Sequence, residues 1–444
     1  MDADRFQLLV PPTAPGGTYT VATLPPSVSG VSLTLPSAAN AFAGSREADR
    51  TLNLSDSLYL AQVNGISGTG NNTSLIAGAQ STITAQATGS LNAVARNTAN
   101  DATASAGLVA EGFKDTAITA GSTGSVKADA SITGVADAAT TGNNALLDNA
   151  LADLTITARG LTARNAANDI TIGANGDVQA SASLAGRSTA STVSGNSDAL
   201  ATLQADALQL DAANTIRIGD QGSVNATASI GSSVAPLLVS SLSSGVGNAT
   251  SQMGLEVSGI LGNSTAGTFS SITLGGGPLG TVGAKGQSVV DLLSTATNGT
   301  SSSTLGNTSG GSGTITGIRN TDLIIGADLA KINATATGLS NLSSLSVAGN
   351  ATATVASGSF GILSDTGSPV GITVADQGQI AVLANQKSVA SATSVSGQAT
   401  SSLSNSSVAL NSVLVNVGAN GQLRAEAVSN LLSRAGSVSG SANA

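Results

Sequence analysis

The sequence has no cysteine, no histidine and no tryptophan among its 444 residues. Without cysteine, no disulfide framework can form. Zinc, copper, haem and iron–sulfur sites of the usual kinds need cysteine or histidine, and so do Ser-His-Asp and Cys-His nucleophiles. We therefore expect no catalytic residue of these kinds, no metal site and no cofactor.

Charged residues are also scarce, at 9% of the chain, and the net charge is −9. Nucleic-acid binding needs clustered lysine and arginine, whereas the 16 basic residues are scattered singly. No apolar run approaches the ~18–20 residues of a membrane-spanning helix. The first ten residues, MDADRFQLLV, carry acids where a signal peptide carries bases. We expect neither a nucleic-acid partner nor a membrane span, and the sequence leaves open a cytoplasmic chain, another export signal or prior processing.

What the chain does contain is a repeat of small and aliphatic residues. The pattern is aliphatic-x-aliphatic, a glycine-containing turn, then x-aliphatic-x-Ala-x-Ala, as in ITIGANGDVQASA at residues 170–182. Its copies start at residues 75, 118, 170, 216, 272, 324, 372 and 415, at steps of 43 to 56 residues, and those at 272 and 324 contain insertions. Such a fixed period indicates a repeat architecture.

A second motif follows the first at a constant distance. Val193 of VSGN lies 15 residues after Val178, and Val347 of VAGN lies 15 residues after Ile332. The same offset recurs in four further units, at Thr98, Thr297, Val395 and Val438. This regularity predicts the same local structure in each unit.

Alternation of side chains within the repeat predicts strands joined by glycine turns. Ile170, Ile172 and Val178 fall on one face at period 2, and the alanines that follow require a narrow interior. We expect an all-β fold, an elongated parallel β-solenoid of about eight units of 43–56 residues, with one large coil or two smaller coils per unit. The turn glycines, expected to supply left-handed backbone angles, are Gly121, Gly124, Gly173, Gly176, Gly219, Gly222, Gly418 and Gly421.

Amides recur at the third position of this turn. They are Gln80, Asn175, Gln221, Gln377 and Asn420, with Thr123 in the remaining ungapped unit. Stacked amides can form a hydrogen-bonded ladder along a β stack. The alternative is that asparagine is simply a good turn residue, although glutamine is not.

Residues 1–45 lie outside the repeat and contain six of the nine prolines. Proline removes a backbone donor, so this domain is predicted to be an extended arm attached to the solenoid domain at 46–444. Its apolar residues can pair with a free sheet edge of a neighbouring chain or cap the chain's own first coil. They are Phe6, Leu8, Leu9, Val10, Tyr19, Val21, Leu33 and Leu35.

Carboxylates are the remaining candidates for catalysis. Asp177, Asp220 and Asp376 lie at or near the repeated turn, and some solenoids cleave polysaccharides with acid pairs. Aspartate is also a common turn residue, which is the interpretation we favour. A calcium site needs six to eight oxygens, more than these single acids provide.

The repeats resemble those of large surface proteins of bacteria that are rich in Ala, Ser, Thr, Gly and Asn, including proteins of marine picocyanobacteria. The units ITIGANGDVQASA and ITVADQGQIAVLA with their VSGN and VSGQ segments carry this resemblance, which covers about residues 75–444. It implies a structural role outside the cell or at its surface, without catalytic residues. The composition is also similar to that of surface-layer proteins, and trimeric autotransporter heads and phage tail fibres share it without a matching motif.

The expected function is that of a structural subunit that polymerises head-to-tail into an extracellular filament or surface array. Its partner would be a second copy of itself, because open solenoid ends favour an unlimited stack. The alternative is an adhesin or phage-fibre-type protein that contacts a cell surface or glycan through the variable insert 229–270. A surface-layer lattice protein and a carboxylate glycan hydrolase are the less favoured alternatives.

Overall fold

The computed structural model shows a parallel β-solenoid, as the repeat predicts, and the residues that it describes are 77% strand with no helix. The described residues are 9–10, 20–21, 33–35, 40–47, 51–54, 56–67, 74–98, 100–143, 148–163, 169–211, 214–263, 269–275, 277–306, 313–326 and 328–444. Three sheets run along the stack, and each coil contributes a short, a long and a third strand to them in that order. Each strand pairs in parallel with its equivalent in the next coil.

The strands of each sheet follow one another in chain order. The short-strand sheet comprises β3 (Leu33–Leu35), β7 (Ser74–Ala77), β10 (Ala117–Ala120), β13 (Ile170–Ile172), β16 (Thr215–Ile218), β20 (Ser270–Leu274), β24 (Thr321–Ile325), β27 (Val370–Val374) and β30 (Val413–Val417). The long-strand sheet comprises β4 (Asn40–Glu47), β5 (Thr51–Leu54), β8 (Thr82–Asn97), β11 (Ser125–Thr140), β14 (Asp177–Thr192), β17 (Ser223–Ile230), β18 (Leu237–Val246), β21 (Thr281–Asn298), β25 (Lys331–Ala348), β28 (Gln379–Ser396) and β31 (Gln422–Ser439). The third sheet comprises β6 (Asp56–Ser67), β9 (Ala102–Lys114), β12 (Ala150–Ala163), β15 (Ser197–Leu210), β19 (Ala249–Leu261), β22 (Ser301–Leu305), β23 (Thr314–Arg319), β26 (Ala351–Leu363), β29 (Ala399–Asn411) and β32 (Ala442–Asn443).

Each sequence repeat forms one large coil, which settles the choice between one coil and two. Ile118 pairs with Ile170, and Ile170 with Ile216, so equivalent repeat positions lie directly above one another. The repeat predicted to start at residue 324 starts one residue earlier in the structure. Leu323, and not Ile324, pairs with Ile272 and Ile372, because Leu323 is buried whereas Ile324 is 48% exposed.

The stack begins earlier in the chain than the repeat indicates. β3 pairs with β7, and β4 with β8, so residues 33–35 and 40–45 belong to a first coil, although the sequence pattern places them in the arm. In the described part of the chain the stack therefore has nine coils. Further upstream, β1 (Leu9–Val10) and β2 (Thr20–Val21) pair antiparallel, and β2 contacts β6 of the first coil.

The interior is narrow, as the alanines predict. Ala85, Ala128 and Ala180 lie in one buried column of the long-strand sheet. The third sheet approaches this sheet so closely that a Cβ on Gly112 would lie 2.9 Å from the backbone nitrogen of Asp129. Small side chains therefore set the distance between the two sheets, because larger ones would force them apart.

Candidate functional site

The glycines in the turn between the short and the long strand do not have the predicted backbone conformation. None of the eight predicted turn glycines has a left-handed φ; the third turn position has it instead, with φ of 57° at Asn175 and 58° at Gln221. Glycine is required because neighbouring atoms come close. A Cβ on Gly173 would lie 2.5 Å from the backbone nitrogen of Ser122 in the adjacent coil, and one on Gly176 would lie 2.0 Å from Cγ2 of Ile172.

The predicted amide positions do stack, but through the backbone. The backbone N–H of Gln80 donates to the carbonyl of Ser122 at 2.8 Å, and that of Asn175 to the carbonyl of Asp220 at 2.6 Å. Among the described hydrogen bonds, none joins the side chains of Gln80, Asn175, Gln221, Gln377 and Asn420, and all five are exposed. The predicted ladder of side-chain hydrogen bonds is therefore wrong at this turn. What the five residues share is a left-handed backbone conformation.

A side-chain ladder does exist at the second corner, between the long and the third strand. The Oδ1 of Asn196 accepts the backbone N–H of Asn248 at 3.0 Å, and Asn248 accepts that of Thr300 at 2.9 Å. In the same way, the Oδ1 atoms of Asp101, Asn149 and Asn350 accept the backbone N–H groups of Asn149, Asn196 and Gln398, respectively. The constant 15-residue offset marked this corner in the sequence, but the role of its asparagines depends on the register between coils.

Glycines stack beside this asparagine ladder. Gly247, Gly349 and Gly397 have φ between 140° and 151°. A Cβ on Gly247 would lie 1.9 Å from the carbonyl oxygen of Gly195 in the coil before it. Buried serines complete the corner, because Ser394 donates to the carbonyl of Gly349 at 2.7 Å. The second corner is thus held on both sides by hydrogen bonds between coils.

A network of buried charges runs through the third sheet across several coils. The Nζ of Lys114 lies 2.8 Å from Oε2 of Glu111, and Nη1 of Arg159 lies 3.4 Å from Oε1 of Glu111. Arg159 also donates to Gln204, which in turn donates to Oδ2 of Asp206 at 2.7 Å. Further along, Arg319 pairs with both Glu256 and Asp365. Partners of opposite charge offset the cost of removing these groups from water.

Asp206 is the most perturbed member of this network. Burial, with the negative charge of Glu256, raises its pKa to about 7, against the opposing effects of Arg159 and of hydrogen bonds from Gln204 and Ser258. A carboxyl group of this kind is a candidate for acid–base chemistry only where a substrate can reach it. Asp206 is fully buried, so its carboxyl group is not open to a substrate in this structure.

The carboxylates singled out in the sequence lie in three different coils, the fourth, the fifth and the eighth. Oδ2 of Asp177 accepts a hydrogen bond from Gln179, Oδ1 of Asp376 accepts one from the backbone of Ala419, and Asp220 is exposed at its turn. Within the described ranges, no group of three or more acidic, cysteine or histidine residues could hold a metal ion. No helix among those residues is long and apolar enough to cross a membrane.

The stretch 229–270, predicted to be a variable insert that could bind a receptor, is mostly regular structure. It contains β18 and β19, which pair with strands of the neighbouring coils. The irregular part near its start is the short loop between Ile230 and Leu237, where Val234 is 92% exposed. The described residues of this stretch thus form strands of the stack and one short loop, and residues 264–268 lie outside the described residues.

Only part of the predicted arm lies among the described residues. Phe6, Leu8 and Tyr19 fall outside them. Leu9 pairs with Val21, and Val10 with Thr20. Within the chain's own stack, Leu33 pairs with Leu75, and Leu35 with Ala77. Leu33 and Leu35 thus belong to the first coil.

The ninth coil, at the other end of the stack, exposes residue positions that are buried in the coils before it. Leu423 is 49% exposed, whereas its partner Ile380 in the eighth coil is 2% exposed. Leu431 is 44% exposed, whereas its partner Ser388 is fully buried. β29 pairs with β26 along its whole length, but with β32 only at Ala399 and Thr400. In this 444-residue chain, β30 and β31 thus pair with a strand on one side only, and apolar side chains of the ninth coil are exposed.

Comparisons with known proteins do not point to a function. No family model matches the chain, and no curated protein or solved structure is significantly similar to it. The function must therefore be argued from the stack and its surfaces.

Proposed function

We propose that this protein is a structural subunit that stacks end to end into a filament or surface array outside the cell. The observation that carries the proposal is the regular parallel stacking of the described coils, in which β30 and β31 of the ninth coil pair with a strand on one side only in this 444-residue chain. Backbone groups at such an edge are free to pair with another strand. Because a solenoid presents different edges at its two ends, contact between them is heterologous and adds subunits without limit unless rotation closes a ring.

The matching edge is that of the first coil, formed by β3, β4 and β6 at the opposite ends of the three sheets. Every coil between the two edges is stacked by the same parallel pairing. A second copy placed on the ninth coil would continue that pairing and cover Leu423 and Leu431. Burying the two leucines would contribute roughly 25 cal/mol per Å² of apolar surface removed from water.

Electron microscopy of the purified 444-residue chain tests this proposal. We expect wild-type filaments, and none from a variant carrying Leu423→Lys and Leu431→Lys, because two charges would then lie in the contact. Leu414→Lys is the matched control, since Leu414 lies in the same coil, is 67% exposed and should leave filaments intact. A wild-type chain that stays monomeric at high concentration would contradict the proposal.

The arm can strengthen the same contact by adding a strand to a neighbour's edge, as extended peptides do elsewhere. Deletion of residues 1–32 tests this, because it removes the arm and spares β3. We expect the deletion to abolish filaments while the monomer keeps its β-sheet circular dichroism. Filaments that persist after the deletion would show that the arm acts as a cap on its own chain.

A further inference from the structure

We propose that the solenoid also associates sideways with a second copy, through a strip of uncharged side chains beside the second corner. The strip consists of the outward-facing residues near the ends of the long strands in coils four to nine. Its apolar members, between 37% and 80% exposed, are Val193, Leu242, Val246, Leu345, Val347, Val395 and Val438. Seven exposed aliphatic side chains in two adjacent columns are more than the scattered single ones of an ordinary surface.

The strip follows the axis of the stack. Leu242 pairs in register with Thr295, and Thr295 with Leu345. Val347, Val395 and Val438 each lie one residue beyond the mutually paired Ser346, Ser394 and Ser437. Equivalent positions in adjacent coils are therefore about 4.8 Å apart, which places Leu242 and Leu345 two coils apart, and the strip is roughly 24 Å long.

The two columns contain no charged residue from coil four to coil nine, and Arg434 lies beside them in the ninth coil. The positions between its aliphatic members are serine, threonine or glycine, for example Thr295 in coil six and Thr393 in coil eight. The charged boundary comes in coils two and three, where Arg96 pairs with Asp137 at 2.6 Å. Although the chain has a net charge of −9, two copies can thus meet along the strip without opposing like charges.

The backbone beneath the strip is fixed by hydrogen bonds between coils. Ser346 donates to the carbonyl of Gly299, and Ser437 to that of Gly397, at 2.7 and 2.8 Å. The Oγ of Ser396 donates to the carbonyl of Val347 itself at 3.1 Å. Side chains on a fixed backbone lose little conformational freedom when they are covered, which lowers the cost of association.

The repeat distance identifies the partner as a second copy of this chain. An ordinary globular surface can match the strip at one or two side chains only. A second strip has the same spacing of about 4.8 Å, so two copies placed side by side match at every coil. If the two are related by a twofold axis, the same patch serves both of them, as in most protein dimers.

The size of the strip predicts a weak contact between single copies. The two columns together are about 13 Å wide and roughly 24 Å long, which gives a contact area on the order of 300 Å² on each copy. A stable complex buries ~800 Å² on each partner. Side-by-side association becomes strong only if the end-to-end stacking proposed above repeats the contact along a filament. The inference rests on that proposed function for its strength, whereas the contact itself can be tested on single copies.

Disulfide trapping detects such a weak contact, and the absence of cysteine from the chain makes it specific. We expect the Val347→Cys variant to form disulfide-linked dimers under mild oxidation several-fold faster than the Thr373→Cys variant. Thr373 is the matched control, because it is an exposed strand residue of the short-strand sheet in the eighth coil. Equal rates for the two variants would overturn the inference.

A pair of charge variants provides the second measurement. Val347→Asp with Val395→Asp should remove the rise of average mass with concentration in sedimentation equilibrium, and Thr373→Asp with Asn416→Asp should leave it. The strip side chains lie outside the core, so both variants should keep the wild-type circular dichroism. Wild-type self-association that the strip variant leaves unchanged would overturn the inference.

Microscopy separates this inference from the proposed function. Bundled wild-type filaments that become single filaments in the Val347→Asp, Val395→Asp variant would support both. Filaments with no bundling and no preferential trapping would overturn the side-by-side contact while end-to-end stacking stands. Preferential trapping without filaments would support the contact and contradict the stacking.

Discussion

At the scale of single residues, Asp206 is the buried group whose charge state affects stability most directly. Its carboxyl group is fully buried, and its pKa is raised from 3.8 to about 7. The folded chain therefore binds this proton more tightly than the unfolded chain does. Between about pH 4 and pH 7 the contribution of Asp206 to the free energy of unfolding falls as pH rises, and above about pH 7 the cost of its ionisation is complete.

We predict that Asp206→Asn stabilises the protein at pH 8 and that the difference shrinks toward pH 4. The amide is neutral at every pH, so it removes an ionisation cost on the order of 1–4 kcal/mol, since each pKa unit corresponds to about 1.4 kcal/mol. Urea unfolding of both proteins from pH 4 to pH 8 measures the difference. Asp220→Asn, at an exposed turn position, is the control and should show no such trend. A variant that is less stable than wild type at pH 8 would mean that the attraction between the Asp206 carboxylate and the positive charge of Arg159 outweighs the cost of burial.

At the scale of the coil and its corners, the glycine in the motif that follows the long strand allows two adjacent coils to come into close contact. Gly247 has a φ of 146° and lies directly over Gly195. Any side chain there would have both an unfavourable backbone conformation and a collision with the carbonyl oxygen of Gly195. Gly436 also lies near this corner, in the ninth coil, but a Cβ added to it would meet no atom within 4 Å, and its φ is not positive.

We predict that Gly247→Ala destabilises the protein by more than about 2 kcal/mol, because strain and overlap add. Gly436→Ala should change stability by less than about 0.5 kcal/mol, as surface substitutions usually do. Thermal unfolding followed by circular dichroism compares the two. Equal stability of both variants would indicate that neighbouring coils can move apart at this corner.

The same corners show how far the sequence alone could lead. Alternation around Ile170 and Val178 predicted the strands, the parallel stack and the narrow alanine interior correctly. The roles of Gly173 and Gly176 could not be predicted, because they depend on atoms of a coil about fifty residues away in the chain. For the same reason, the amide ladder was expected at Asn175 but lies at Asn196 and Asn248, where register aligns an amide oxygen with the next backbone N–H.

The interior also departs from the sequence expectation in the later coils, where serine replaces alanine. Ser294 lies within 2.9 Å of the hydroxyls of Ser301 and Ser303, and Ser340 lies 2.7 Å from Ser388. The side chain of Gln386 donates to Ser388 in the same interior. Alternation predicted that these positions face inward. The hydrogen bonds between their hydroxyl groups depend on which strands face each other, and the sequence alone does not show this.

At the scale of the whole molecule, the stack is held by contacts between adjacent coils, so its stability should be nearly a sum over those contacts. Ile380 and Leu423 are register partners in adjacent coils, and so are Gln379 and Gln422. Deleting residues 380–422 joins Gln379 to Leu423 and removes one coil in register. It also leaves Arg319 with both of its partners, Glu256 and Asp365.

We predict that the chain lacking 380–422 folds into the same solenoid with one coil fewer and unfolds cooperatively within a few degrees of wild type. Deletion of residues 380–401 is the control, because it removes about half a coil and places long-strand residues where a third strand belongs. A one-residue shift of register already exchanges the buried and exposed faces of a strand, so a half-coil shift should prevent folding. Circular dichroism and limited proteolysis of the two chains distinguish these outcomes. If the one-coil deletion failed to fold as well, stability would depend on the removed coil in particular, and a sum over contacts between adjacent coils would not describe this molecule.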